Sequence, residues 1–197
     1  MLDTLKINHR AFISYKFFNS LFTGISVGSI FIIYTPLSPS VYSLGGIVLA
    51  ALMLVVAMFY AKILNNHYFF RISLFVELVL LAMVVYFLLF SYSYQTALMI
   101  YIGYQLSFVF GSYLVRAETL ALKKDKILTF VDVAKQAGYL IGLAISFLFY
   151  KVLEYRFGII DNQLQVYNLH YLLVVVEVLI IYLLVKSFSK VKANQPF

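Results

Sequence analysis

The sequence predicts an all-α integral membrane protein with six transmembrane helices in a single domain, residues 1–197. Of its 197 residues, 63% are hydrophobic and only 12% are charged, and its mean hydropathy is +0.95. Several apolar runs exceed ~18 residues, the length that indicates a transmembrane helix. The chain is long enough for about six such spans and leaves no room for a separate soluble domain.

The positions of the spans follow from these apolar runs and from the residues that interrupt them. The first run ends at Thr35–Pro39, where two prolines interrupt a helix. The six predicted helices are 17–37, 44–64, 70–91, 95–117, 133–153 and 168–187.

Basic residues predict how the spans are oriented. The strongly basic segments all fall on one side of the predicted topology, and the positive-inside rule identifies that side as the cytoplasm. We therefore expect both termini in the cytoplasm and a multi-pass protein of a bacterial cytoplasmic (inner) membrane. The basic residues on the cytoplasmic side account for much of the net charge of +7, so nucleic acid is not an expected partner. The basic residues outside the most polar segment are Lys6, Arg10, Lys16, Lys62, Arg71, Lys186, Lys190 and Lys192.

Small residues one helical turn apart predict which helices pack closely. Such residues form a groove that lets another helix backbone approach, the main packing device in lipid. They occur in the first, fourth and fifth helices, which we expect inside the bundle. The third and sixth helices are bulky nearly all round and are expected to face lipid on much of their surface. The packing candidates are Ser20, Gly24, Gly28, Gly103, Ser107, Gly111, Gly138, Gly142 and Ser146.

Two short matches indicate an internal repeat. Residues 75–81, Phe-Val-Glu-Leu-Val-Leu-Leu, are similar to residues 175–181, Val-Val-Glu-Val-Leu-Ile-Ile, and Gly28-Ser29 has a counterpart in Gly111-Ser112. The first and fourth helices enter the membrane from opposite sides, so corresponding halves would be two inverted three-helix repeats.

The most polar stretch, residues 114–137, contains candidates for a cytoplasmic gate. Arg116 and Glu118 lie two residues apart, on different helix faces, and would not pair well with each other. Lys135 or Asp132 is a better partner, in a charge network between helices. The alternative is a solvated loop whose charges complement the helix ends.

Glu77 and Glu177 are predicted within the membrane, where a bare charge costs at least ~2.5 kcal/mol. Both are candidates for a proton or cation site. The alternative is a neutral Glu hydrogen-bonded to a neighbouring helix. His170 lies on the same helix face as Glu177.

Gln105 is a polar residue near the middle of the predicted fourth helix. With Tyr101, Tyr104 and Tyr34 it is a candidate for lining a substrate cavity. Equally, it could join two helices by a hydrogen bond.

We do not expect an enzyme or a cofactor. The sequence has no Gly-rich phosphate loop after a strand and no His-Glu-x-x-His motif, and its three histidines are scattered. The absence of cysteine excludes disulfides, thiol catalysis and Cys-ligated metals.

Taken together, these features resemble one six-helix half, of the N-terminal type, of a major facilitator superfamily transporter. The family's motif between the second and third helices is poorly kept, with Ala61 and Asn65 at its Gly and Asp positions and only Lys62 and Arg71 basic. The motif of the fourth and fifth helices is kept better, by Glu118, Lys135 and Gly138.

The resemblance implies a half-size transporter that moves a small solute by alternating access. The substrate site of that fold lies between two six-helix units, so the expected partners besides the lipid bilayer are a second copy of this chain or a second membrane half. Two alternatives remain at this stage. One is the substrate-binding membrane subunit of an ATP-driven vitamin-type importer, and the other is a non-transporting membrane scaffold.

Overall fold

The computed structural model describes residues 5–123 and 125–190. Six segments within these ranges are helices long and apolar enough to cross a membrane: α1, α2, α4, α5 together with α6, α7, and α8. Lys192, one of the basic residues named above, and Lys124 of the polar stretch lie outside the described ranges. The elements are β1 Leu5–Ile7, α1 His9–Ile33, α2 Pro39–Met58, α3 Tyr60–Ile63, α4 Asn66–Phe90, α5 Tyr94–Val109, α6 Gly111–Leu122, α7 Asp125–Phe157, α8 Asn162–Ser187 and β2 Phe188–Lys190.

Four of the long helices begin at a polar side chain that caps their first turn. Asn8, Asn65, Ser93 and Asp161 each accept a hydrogen bond from the backbone N–H three residues later, which satisfies one of the free donors of a helix start. In α2, Pro39 occupies the first turn instead, where its missing N–H costs nothing.

The helices extend beyond their predicted bounds at several ends. α1 begins at His9 rather than at residue 17, and α7 covers Asp125–Phe157 rather than 133–153. The apolar pattern marks the part of a helix that lies in lipid. It does not mark the turns that continue into water, where charged residues are readily solvated.

The polar stretch 114–137 is therefore not a loop. α6 ends at Leu122, Lys123 takes a left-handed backbone conformation with φ of 51°, and α7 begins at Asp125. An aspartate in the first turn of α7 is favourable beside the positive end of the helix dipole. Most of this segment's charges consequently lie on helices, where their spacing determines which of them meet.

The fourth span is broken at Phe110, which separates α5 from α6. The N–H of Phe110 bonds to the carbonyl of Ser107, three residues back, instead of the carbonyl four residues back. Gly111 and Ser112 follow at once, and both have lower helix propensity than alanine. The prediction of one continuous helix over 95–117 was wrong at this point.

Glycines hold α1 and α7 in backbone contact. A Cβ added to Gly24 would lie 2.3 Å from the carbonyl oxygen of Tyr139, and one added to Gly142 would lie 2.3 Å from that of Leu21. At Gly138 the nearest atom would be the carbonyl oxygen of Phe17, at 2.2 Å. Only glycine permits this approach, the device expected where water does not drive helices together.

The other small residues lie in different surroundings. A Cβ on Gly103 would meet the side chain of Met83 on α4 at 2.3 Å, whereas one on Gly28 has a single neighbour, Tyr150, at 3.9 Å. A Cβ on Gly111 would have no described atom within 4 Å, so the packing role predicted for Gly111 is wrong; this glycine lies at the helix break. Among the predicted serines, Ser107 and Ser146 are buried and Ser20 is half-buried.

The centre of the bundle is formed by α1, α4 and α8. α1 packs on α7 and α8, α4 packs on α8 and α5, and α2 packs mainly on α5. The sixth span, expected to face lipid, contributes many buried residues, while none of α2 is buried by the described chain. The hydropathy of a helix does not reveal this difference, because lipid and the protein interior are similarly apolar.

A two-stranded antiparallel ribbon joins the two ends of the described chain. Leu5 pairs with Lys190 and Ile7 with Phe188, and the Asn66 side chain donates to the Leu5 carbonyl at 2.8 Å. The start of α1, the start of α4 and the end of α8 therefore lie at the same end of the bundle, here called the ribbon end. The sequence did not predict these strands.

Candidate functional site

Two carboxyl groups meet in the centre of the bundle. Glu77 of α4 is 1% exposed and Glu177 of α8 is 0% exposed, and the two side chains are neighbours where α4 packs on α8. Glu77 lies eleven residues after the start of α4 and Glu177 ten residues before the end of α8. Both are therefore roughly 15 Å from the ribbon end, well inside the membrane.

α1 supplies the polar partners of Glu77. The Tyr15 hydroxyl donates to Oε1 of Glu77 at 2.6 Å, and the Asn19 amide donates to Oε1 at 3.0 Å and to Oε2 at 3.3 Å. Tyr15 and Asn19 are four residues apart and so lie on one face of the helix. α1 thus presents a matched pair of donors to one carboxyl group.

Glu177 has a different environment. Neither of its carboxyl oxygens receives a hydrogen bond from a donor group among the described residues, and the group that it faces is the carboxyl of Glu77. Tyr104 on α5 also lies close enough to act electrostatically on Glu177. One carboxyl of the pair is surrounded by donors, and the other is not.

A second charged group lies nearer the ribbon end and joins three helices. Lys16 of α1 contacts Oε2 of Glu118 on α6 at 2.7 Å, and Lys135 of α7 bonds to the other oxygen of Glu118. Asp132 lies 3.4 Å from Lys135 and is largely exposed. These four residues are called the lysine cluster below.

The lysine cluster includes three of the four residues predicted as a gate. Glu118, Lys135 and Asp132 come together, but Arg116 does not. Arg116 is exposed and lines an open groove of about 680 Å³ beside Tyr60. Arg116 and Glu118 are two positions apart in α6, so their side chains lie on different faces of the helix, as the spacing predicts.

The predicted cavity residues are divided between two faces of α5. Tyr101 and Gln105 line an apolar groove of about 320 Å³ between α2 and α5, and the carbonyl oxygen of Gln105 is buried without a hydrogen-bond partner among the described residues. Tyr104 instead faces Ser26 of α1. The four residues therefore do not share one cavity.

Tyr34 contacts this group from the end of α1. Its ring packs edge-to-face on that of Tyr101 at 5.6 Å, and its carbonyl accepts from Tyr42 at 3.0 Å. Burial, followed by the neighbouring phenols, raises the pKa of Tyr34, so its hydroxyl stays neutral. Tyr34, Tyr42 and Tyr101 thus form a tyrosine cluster at the end of the bundle opposite the ribbon.

His170 lies on the buried face of α8 but belongs to a separate contact. Its Nδ1 lies 2.7 Å from the carbonyl oxygen of Val166, and its ring stacks on that of Phe87 at 4.0 Å. Neither contact joins it to Glu177.

Tyr15, Lys16 and Asn19 are the site residues that the sequence reasoning missed. The first span was predicted to begin at residue 17, which left Tyr15 and Lys16 outside the membrane. Asn8 was the available signal, since an Asn before an amphipathic run is a helix start. With that start, Tyr15 and Lys16 fall within the span, whereas Asn19 already lay in the predicted helix 17–37 and was not singled out.

Comparison of the chain with protein-family models, with curated proteins and with solved structures found no match.

Proposed function

We propose that the protein is a membrane transport protein of half-facilitator type, which moves a small solute by alternating access together with a second copy of itself or with another six-helix half. The observation that carries this proposal is the exchange symmetry of the helix contacts. The six helices long and apolar enough to cross a membrane support a membrane protein directly.

The main helix contacts correspond in pairs when the first three spans are exchanged for the last three, whereas the weaker packing of α7 on α8 and of α6 on α7 has no counterpart among them. Under this exchange, the packing of α1 on α7 corresponds to the packing of the fourth span on α2. The packing of α1 on α8 corresponds to that of the fourth span on α4, and the packing of α4 on α8 corresponds to itself. Such a pattern is expected of two inverted three-helix repeats, an architecture typical of secondary transporters.

The carboxyl pair occupies equivalent points of the two repeats. Glu77 and Glu177 lie in the matching segments 75–81 and 175–181, and α4 and α8 correspond under the exchange. Their contact therefore falls where a twofold axis in the membrane plane would pass. The sequence match and the packing pattern therefore support the same repeat.

A second unit would complete the groove between α2 and α5. None of α2 is buried by the described chain, and the groove that contains Tyr101 and Gln105 opens on the same side. In the proposed assembly the second unit packs against this face, and the groove becomes part of an enclosed path for the solute.

The first experiment is native mass spectrometry of the purified protein in a mild detergent and in lipid nanodiscs. A dominant dimer in both media is the expected result, because a two-fold dimer of this chain would supply twelve spans. A strict monomer in both would overturn the homodimer. Purification with a separate ATPase subunit would instead identify the importer alternative.

Alternating access can be tested before any solute is known. Because the chain has no cysteine, one spin label can be attached to Ser38→Cys at the tyrosine-cluster end or to Thr119→Cys nearer the ribbon end. Between the two labels of a dimer, we expect two distance populations for each variant. A change of conditions that favours the shorter distance at one end of the bundle should favour the longer distance at the other end. A single fixed distance at both ends would favour a scaffold.

A further inference from the structure

The contact between Glu77 and Glu177 requires a proton. An ionised carboxylate only accepts hydrogen bonds, whereas a protonated carboxyl group also donates one. Two carboxyl groups that lie side by side where α4 packs on α8 therefore share a hydrogen bond only if one of them is protonated. Two bare charges at this separation would repel strongly, because almost no water reaches either group.

The distribution of donors decides which carboxyl holds the proton. Glu77 already receives hydrogen bonds from Tyr15 and Asn19, and such bonds stabilise the ionised form. Glu177 faces no donor group among the described residues, so a negative charge there would be buried without compensation. The arrangement that satisfies both groups is a protonated Glu177 that donates to an ionised Glu77.

We propose that Glu77 and Glu177 form a proton-binding site, which holds one proton between the two carboxyl groups. The titratable or charged neighbours of the pair are Tyr15 and Lys16 on α1 and Tyr104 on α5. Glu118 on α6 and Lys135 on α7 belong to the lysine cluster. His170 on α8 is engaged by Val166 and Phe87 and so does not compete for this proton.

The position of Lys16 connects this site to the lysine cluster. Lys16 follows Tyr15 in α1 and acts electrostatically on Glu77, while its Nζ contacts Glu118 at 2.7 Å. Release of the proton adds a second negative charge to the carboxyl pair, which competes with Glu118 for Lys16. Proton release at mid-membrane therefore loosens the contact between α1 and α6. That this step drives alternating access rests on the function proposed above.

The experiment is infrared difference spectroscopy of the protein in nanodiscs during a pH titration. A protonated carboxyl group has a carbonyl stretching band separate from that of a carboxylate. We expect such a band in the wild-type protein at neutral pH, shifted when glutamate is labelled with ¹³C, and lost at alkaline pH. The labelled wild-type measurement needs no variant, so it is decisive even if a substitution prevents folding.

Two isosteric variants distinguish the carboxyl groups. Glu177→Gln removes the protonated group but keeps an amide donor for Glu77, so the band should be lost. Glu77→Gln leaves Glu177 protonated beside a neutral amide, so the band should be retained at a shifted position. Glu154→Gln is the control, because the side chain of Glu154 is 37% exposed and pairs with Lys151 at 2.7 Å; it should leave the band unchanged.

Three results would overturn the proton site. They are the absence of the band from the labelled wild-type protein at neutral pH, its retention in Glu177→Gln, and its loss when sodium replaces choline, which would identify a metal-cation site. None of these measurements needs a transported solute. A monomeric, rigid protein that still shows the band would overturn the transport proposal alone, whereas a dimer that alternates without the band would overturn the proton site alone.

Discussion

Glu118 shows how one residue can hold three helices of this bundle together. Its two oxygens are divided between Lys16 on α1 and Lys135 on α7, and both Glu118 and Lys16 are buried. The Lys16 ammonium also lies 5.5 Å from the centre of the Phe12 ring and 5.3 Å from that of Tyr15, which adds cation–π attraction. Loss of either lysine would leave the buried Glu118 carboxylate only partly paired, which is strongly destabilising.

We expect Lys16→Met to lower the free energy of unfolding by about 1–3 kcal/mol, because one oxygen of the buried Glu118 carboxylate loses its partner. Unfolding in a titration with sodium dodecyl sulfate measures this change. Asp132→Asn is the matched control. Asp132 is largely exposed, so the control should change stability by less than about 0.5 kcal/mol. Equal effects of the two substitutions would contradict a structural role for Lys16.

The hydroxyl of Tyr15 provides a second prediction. Tyr15→Phe removes a 2.6 Å hydrogen bond to Glu77 while keeping the buried ring, so we expect a loss of about 1.5–3 kcal/mol, typical of a bond to a charged group. Tyr171→Phe removes an exposed hydroxyl 3.3 Å from that of Tyr167 and should be close to neutral. The same detergent titration compares the two, and a neutral Tyr15→Phe would show that Glu77 needs no donor there.

At the scale of elements, the contact between α1 and α7 depends on the absence of side chains. We expect Gly142→Ala to destabilise the protein by about 1–3 kcal/mol, the usual cost of overpacking, since its Cβ would meet the Leu21 carbonyl at 2.3 Å. Gly46→Ala lies inside α2 with no described atom within 4 Å and should stabilise by about 0.5–1 kcal/mol. Opposite signs in thermal unfolding confirm the prediction, whereas the same sign for both would refute it.

The six spans could be predicted from sequence because a run of about twenty apolar residues is typical of a transmembrane helix. The sequence did not show which helices lie at the centre of the bundle and which lie at its edge. α8 and α2 are both strongly apolar, yet α8 lies in the centre and α2 at the edge. Which apolar face meets protein and which meets lipid depends on shape, and the sequence shows shape only at small residues such as Gly24 and Gly142.

The candidate site was predictable by residue type but not by geometry. Glu77 and Glu177 stood out because carboxyl groups are rare in a membrane span. Their contact depends on α4 and α8 being antiparallel neighbours with matching depths, which is a property of the folded bundle. Glu118 and Lys135 were predicted partners, but Lys16 was missed because a lysine eight residues into a helix resembles a flanking charge.

For the whole molecule, the ribbon places Ser189 and the starts of α1 and α4 at one end, and Ser38 lies in the turn between α1 and α2 at the other. We predict that the ribbon end faces the cytoplasm, since most basic residues lie there. A membrane-impermeant maleimide should label Ser189→Cys only in inverted vesicles and Ser38→Cys only in right-side-out vesicles. The parent chain, which has no cysteine, is the blank, and the reversed pattern would invert the topology.

The ribbon also has a consequence for the order of events during biosynthesis. Ile7 and its partner Phe188 are 181 residues apart, so at 5–20 residues per second the first strand waits roughly 10–35 s for the second to be made. α1 waits as well, because its main neighbours, α7 and α8, follow the other four spans in the chain. We therefore expect the newly inserted first helix to stay beside the insertion machinery until α7 and α8 have been made.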